Sequence, residues 1–379
     1  MFLSYRVFGS PSRYVQGRDL LNHIPYFIDV YGLSGKSIVV IADELVLGLF
    51  QGKIEDGFQK YKKKYQFVVF HGECSCEEID RIQSEVDAEE PVFVGIGGGK
   101  AIDVTKAVAD IMRRDCTIVP TIAATDAPTA SASVIYYPDG KFREIFFYKR
   151  NPNLILVDVE VIANAPYRFF VSGMADALAT GYEAMACWNG NGKNVYKTKP
   201  LLTSLCIAKE CSRVILTYGM QAGESVRRKA VTPYLEYVVE ANILMSGLGF
   251  EGGGLAAAHS VANGLTVWED AHRSLHGEKV AFGLLVQLVL QGESKAEFDK
   301  IMQFNLEIGL PVCLKDIGGS ECDPKTIESI AKKATEPSET IHNMLGDPNW
   351  EQVRDAIYLV DGIGSEMRKK EGRKNHDEK

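Results

Sequence analysis

Five short, almost wholly apolar runs in the first 160 residues constrain this fold most. They are residues 37–43 (SIVVIAD), 66–70 (QFVVF), 91–97 (PVFVGIG), 116–120 (CTIVP) and 153–158 (NLILVD). None alternates apolar with polar residues. Strands of that kind are covered on both faces, as in a parallel sheet flanked by helices. Helical patterns fill the intervals. The clearest covers residues 100–112, where Ile102, Thr105, Val108 and Met112 recur at helical spacing. SVIYY and FREIFFY flank Pro138-Asp139-Gly140-Lys141, which predicts a β-hairpin. Beyond about residue 165 strand-like runs stop. Long helical patterns take over at 171–187, 201–216, 232–247 and 280–290. The expected fold class is an α/β nucleotide-binding domain with a parallel sheet, residues 1–165, followed by an all-α domain, residues 166–379.

A chain of 379 residues exceeds one ordinary core, which agrees with two domains. The net charge of −8 argues against nucleic acid as the main partner. No apolar run reaches membrane-spanning length. The opening MFLSYRVFGSPSRYVQG lacks the charged-then-apolar pattern of a signal peptide. The eight cysteines are scattered, and Cys74-x-Cys76 is too tight for a usual zinc pair. Free thiols and a cytoplasmic location are the expectation.

Two stretches in the first half carry chemistry. GIGGGKAID, residues 95–103, stands where a strand turns into a helix. Glycines there let a backbone approach a ligand closely, and a helix N-terminus favours an anion, so a pyrophosphate site is expected. The alternative is a tight turn serving packing alone. The pattern is neither a Walker A loop nor G-x-G-x-x-G, since Ala101 and Lys100 stand at required positions. Asp43, ending the first run, is placed to accept hydrogen bonds from a ribose and to repel a 2′-phosphate, or to cap the next helix. The second stretch, PTIAATDAPTASAS, follows the fourth run, and Asp126 is its only charge. Asp126 either binds a substrate hydroxyl or caps its loop.

The second half gathers three of the seven histidines in EGGGLAAAHSVANGLTVWEDAHRSLHGEKVAFG. His272 and His276 are four apart and would share a face if both lie on one helix. His259 would come from another helix, and Asp176 in VSGMADALAT is the best carboxylate. Two imidazoles and a carboxylate make a three-ligand metal site with an open position. Surface or capping histidines are the alternative.

GIGGGKAID, PTIAATDAP, SGMADALAT, GFEGGGLAAAH and HGEKVAFG, in that order, resemble the glycerol dehydrogenase branch of the metal-dependent (iron-type) alcohol dehydrogenases, with HGECSCEEIDRI and SETIHNM in support. The resemblance covers nearly the whole chain and implies the dehydroquinate synthase-like architecture, with a cleft between an NAD domain and a helical domain. It implies a divalent ion, usually zinc, on Asp176, His259 and His276. It implies cofactor contacts at Asp43, Gly98, Gly99, Lys100, Thr121, Ala124, Ala130, Ala132 and Tyr136, and a glycerol contact at Asp126. A homo-oligomer, often a ring-like octamer, is also implied.

Departures from the family pattern fall at Ala124, at Ala130-Ser131-Ala132, at Gly181, Gly252 and Ala262, and at Arg273-Ser274-Leu275. They suggest altered nicotinamide and substrate walls. The expected activity is NAD-dependent oxidation of glycerol or another vicinal diol to the hydroxyketone, with Asp126 holding a hydroxyl and His272 passing the proton to solvent. A larger polyol is one alternative substrate. A lyase of the dehydroquinate synthase type is disfavoured, because no cluster of Lys and Arg surrounds Asp126 or His259. A non-catalytic binding protein is disfavoured by the intact ligand residues.

Overall fold

The computed structural model describes residues 5–377, and their side chains through 370. Six parallel strands form one sheet: β1 (Arg13–Gly17), β2 (Ser37–Ala42), β3 (Tyr65–Val69), β4 (Pro91–Gly97), β5 (Cys116–Pro120) and, last in the chain, Leu154–Asp158. Before that last strand, β6 (Ala132–Tyr136) and β7 (Phe142–Phe147) form the expected antiparallel hairpin, so Leu154–Asp158 is β8. The order across the sheet is β1-β8-β5-β4-β2-β3. β4 is buried along its whole length, which explains its unbroken apolar sequence. Around β2 and β4 the core closes with Leu21, Ile24, Ile54, Phe58, Val40 and Val94.

β1 is an addition to the sequence reading. Its RYVQG carries little apolar signal because β1 is an edge strand, bonded only to β8 and exposed at Arg13. The chain runs outward from β2 to β3, then returns to place β4 on the other side of β2. That reversal makes the carboxyl ends of β2 and β4 a topological switch point, where open α/β sheets bind their ligands.

The chain forms two compact units. Among the described residues, one comprises residues 9–170 and 224–247; the other comprises residues 5–8, 171–223 and 248–377. A single boundary at residue 165 does not describe this division. Residues 224–247 return to the α/β unit, where Gln16 Nε2 donates to the Glu236 carbonyl at 3.0 Å and Thr129 Oγ1 to the Ile243 carbonyl at 2.9 Å. The helical run expected over 232–247 is present and carries a π-helical turn. Pro233–Glu240 is α-helical, Ala241–Met245 is one π-helical turn, and a new helix covers Ser246–Gly253.

In the second unit, among the described residues, every regular element is helical. The helix Ala257–Gly264 packs on His276–Leu290 and on Pro324–Ala334. The approach to His276–Leu290 depends on Gly283, where a Cβ would lie 2.2 Å from the Ala258 carbonyl oxygen. No helix among the described residues is long and apolar enough to cross a membrane.

Candidate functional site

The helix Tyr167–Asn189 places two acids on one face, because Asp176 and Glu183 are seven residues apart. Both carboxylates are buried, Glu183 completely. The imidazole of His259 spans them. Its Nδ1 lies 2.5 Å from Glu183 Oε2 and its Nε2 3.4 Å from Asp176 Oδ1. Glu183 Oε1 also accepts the amides of Ala256 at 2.9 Å and His259 at 3.0 Å, so one carboxylate caps the helix Ala257–Gly264 and orients its ligand. With Nδ1 donating to Glu183, the Nε2 lone pair faces Asp176.

His276 opens the helix His276–Leu290. Its Nε2 is also 3.4 Å from Asp176 Oδ1, and the two imidazole centroids are 5.2 Å apart. The Gly277 amide bonds Ser172 Oγ at 3.2 Å, and a Cβ at 277 would stand 1.9 Å from the Ser172 carbonyl oxygen. That contact holds the first turn of this helix against the helix bearing Asp176.

One ligand atom from each of Asp176, His259 and His276 lies within 4.8 Å of the others. Asp176 Oδ1 is buried and makes no hydrogen bond, an orphan that costs free energy unless something positive fills the gap. Burial opposes charge on Asp176, but the imidazoles of His276 and His259 outweigh it and hold its pKa well below the carboxylate range. Burial likewise opposes charge on His259, and Glu183 and Asp176 outweigh it, raising its pKa. Two nitrogens, one oxygen and a carboxylate behind one imidazole fit a divalent cation with an open coordination position.

In the α/β unit, Asp43, Gly98, Gly99, Lys100, Thr121 and Ala124 follow the carboxyl ends of β2, β4 and β5, while Ala130 precedes β6 and Ala132 and Tyr136 are its two ends. Gly98 precedes the helix Gly99–Ile111, and no side chain caps that N-terminus, which leaves it suited to an anion. The Thr121 amide bonds the Gly97 carbonyl at 3.0 Å and ties the exits of β5 and β4 together. Lys100 is paired with Glu73 and lies over the Tyr136 ring, 5.4 Å from its centroid. Burial, with smaller contributions from Asp103 and Glu73, pushes the Tyr136 hydroxyl up to about 12. Asp43 caps the helix Glu44–Lys60 through Oδ1, which accepts from the Val46 amide at 2.8 Å. Asp126 Oδ2 accepts from Ser246 Oγ at 2.8 Å, just after the π-helical turn. Such turns often mark functional sites.

Residues 11–159 match the iron-containing alcohol dehydrogenase family. A glycerol dehydrogenase of Thermotoga maritima is 43% identical over 359 residues, 95% of this chain and 97% of that protein. A glycolaldehyde reductase of Halobacterium salinarum is 41% identical over 96% of this chain and 99% of that one. The crystal structure of a glycerol dehydrogenase from Schizosaccharomyces pombe matches with a TM-score of 0.91 at 38% identity, covering 98% of this chain and 94% of that one. The chain belongs to the iron-containing alcohol dehydrogenase family.

Within this family member, the structure gathers Asp176, His259 and His276 but not His272. His272 and His276 do not share a helix. His272 lies in the 3-10 turn Glu269–Arg273, the chain is extended at Ser274 and Leu275, and only then does the next helix begin. His272 is exposed, with Nε2 3.0 Å from the Thr266 carbonyl. Gly181 and Gly252 are also not substrate walls. A Cβ at Gly181 would meet Ser212 Oγ at 2.4 Å, and one at Gly252 would meet Ser204 Oγ at 2.1 Å, so both positions serve helix packing. Ala124, Ala130 and Thr121 are buried in the segment after β5. Glu183 and Ser246 were not singled out by sequence reasoning. The seven-residue spacing from Asp176 to Glu183 on one helix is the signal that would have found the first. No comparable signal marks Ser246.

Proposed function

We propose that this family member is an NAD-linked dehydrogenase that oxidises glycerol, or a related vicinal diol, to the hydroxyketone. The observation that carries the reading is the buried Asp176 Oδ1, without a hydrogen bond and 3.4 Å from each of two imidazole Nε2 atoms. Asp176, His259 and His276 would hold the cation, with zinc the proposed ion because the donor set is two nitrogens and one oxygen. When bound, the cation acts as a Lewis acid that lowers the pKa of a substrate hydroxyl, and NAD accepts the hydride.

The chain's own residues do the rest. Glu183, 2.5 Å from Nδ1 of His259, would orient that ring so that Nε2 faces the cation. The turn at Gly98, Gly99 and Lys100, with Thr121, Ala124, Ala130, Ala132 and Tyr136, is proposed to hold NAD at the switch point. Asp43 would accept from the ribose hydroxyls. Asp126, held by Ser246, would accept from a substrate hydroxyl. The exposed His272 would exchange the released proton with solvent. Glycerol and NAD+ then give dihydroxyacetone, NADH and one proton.

A second reading has its own support, the 41% identity to a glycolaldehyde reductase. Reduction of a small 2-hydroxyaldehyde yields a vicinal diol, so it is the same chemistry run in the other direction. A cytoplasmic homo-oligomer, of the ring-like octameric type, is the proposed state. The test is NADH absorbance during a polyol screen, with chelator and then with zinc restored. NADH formation from glycerol that the chelator abolishes and zinc restores supports the reading. Turnover unaffected by full metal removal contradicts it.

A further inference from the structure

Lys106 and Asp103 form an ion pair inside the α/β unit that the proposed reaction does not use. Both lie on the helix Gly99–Ile111, and they are 4% and 6% exposed, so the pair is withdrawn from water. Their separation is 2.9 Å. Nearly every other contact of the pair reaches a single stretch of backbone. Lys106 Nζ donates to the carbonyls of Ala127 at 2.9 Å, Ala130 at 3.4 Å and Ala132. Asp103 Oδ2 accepts the Val134 amide at 3.0 Å, and the Asp103 carbonyl accepts from Ser133 Oγ at 2.9 Å.

A buried charge needs a reason, because an apolar residue would fill the same space without desolvating an ammonium. The reason here lies in what the segment lacks. Between β5 and β6 the chain forms no helix or strand, so its buried carbonyls need partners from elsewhere. Lys106 supplies them at Ala127 and Ala130 and reaches on to Ala132, where β6 begins, and Asn151 Nδ2 binds the Thr129 carbonyl at 2.9 Å. The segment leaves the carboxyl end of β5 beside the glycine turn, where the sheet topology puts a ligand. Its side chains are mostly methyl groups and short hydroxyls. Recognition at Ala124, Ala130 and Ala132 therefore falls on the path of the backbone, and Lys106 sets that path.

We propose that Lys106 is a positioning residue for the nicotinamide cofactor, acting by curling residues 127–132 around its ammonium. The inference rests on the NAD reading given above. The test uses the full, metal-loaded chain and Lys106→Met, Lys106→Arg and the double variant Asp103→Asn/Lys106→Met, which leaves no buried carboxylate unpaired. Three readouts are taken: NAD dissociation by protein fluorescence without substrate, bound metal, and amide hydrogen exchange. Lys106→Met and the double variant are expected to bind NAD about tenfold more weakly, with Lys106→Arg intermediate. Metal content should be unchanged, and faster exchange should be confined to residues 123–134. NAD affinity within about twofold of wild type in either folded Met variant would overturn the proposal. So would faster exchange spread evenly over β2 and β4, the mark of a merely structural role. If the wild-type chain itself fails to bind NAD, the cofactor reading falls, a result distinct from a variant that binds as wild type does.

Discussion

At the residue scale the account turns on which side chains hold the cation and which hold the ligands in place. His276→Ala is expected to lose metal and activity together. His272→Ala should keep its metal and lose turnover only, since its ring faces the Thr266 carbonyl. Metal analysis separates the two, and an empty His272→Ala with a full His276→Ala would reverse the assignment. Glu183→Gln keeps the shape but not the charge behind His259. Metal affinity should fall by about 10–100-fold, as for other carboxylates behind a ligating imidazole, measured by competition with a chromogenic chelator. Asp43 has two roles that one pair of variants separates. Asp43→Ser keeps a helix cap and should lose discrimination against NADP. Asp43→Ala should lose discrimination and, in addition, about 1 kcal/mol of stability. Equal catalytic efficiency with NAD and NADP in the wild-type chain would contradict the carboxylate argument. The grouping of Asp176, His259 and His276 was legible in the sequence because carboxylate and imidazole are residue types that metals select. Ser246 and Lys106 were not, because their work is done through contacts 120 and 21–26 residues away in the chain, and Glu183 was marked only by its seven-residue spacing from Asp176.

At the scale of elements, the metal trio depends on how closely two helices approach the one that bears Asp176. Gly277→Ala would drive a methyl group to within 1.9 Å of the Ser172 carbonyl oxygen, so the helix carrying His276 must move. The expected cost is about 1–3 kcal/mol in thermal unfolding, with weakened metal binding. Unchanged stability and metal affinity would show that the first turn gives way freely. The strands were legible where burial on both faces leaves an almost wholly apolar run, as in β2, β4, β5 and β8. β1 was not, since an edge strand needs no such sequence. The break between His272 and His276 was hidden for a related reason: four-residue spacing signals a shared face only inside one helix, and nothing in Arg273-Ser274-Leu275 forbids continuation as firmly as a proline would. The π-helical turn over Ala241–Met245 keeps a helical pattern on both sides and leaves no mark in the periodicity.

At the scale of the whole molecule, the α/β unit is proposed to supply the cofactor site and the helical unit the cation, and the reaction class follows from having both. The return of residues 224–247 to the α/β unit could not be read from the sequence. Helical periodicity says which face is buried, not against which partner. The central claim is that a cation on Asp176, His259 and His276 takes two adjacent oxygens from substrate. Simple monoalcohols offer one oxygen, and 1,3-diols space their two differently. The most direct measurement is kcat/KM for the zinc-loaded enzyme with NAD on glycerol, 1,2-propanediol, 1,3-propanediol and 1-propanol. Glycerol and 1,2-propanediol should exceed the other two by at least about tenfold, the worth of one good interaction to the transition state. A preference for 1-propanol or 1,3-propanediol would contradict chelation of a vicinal diol.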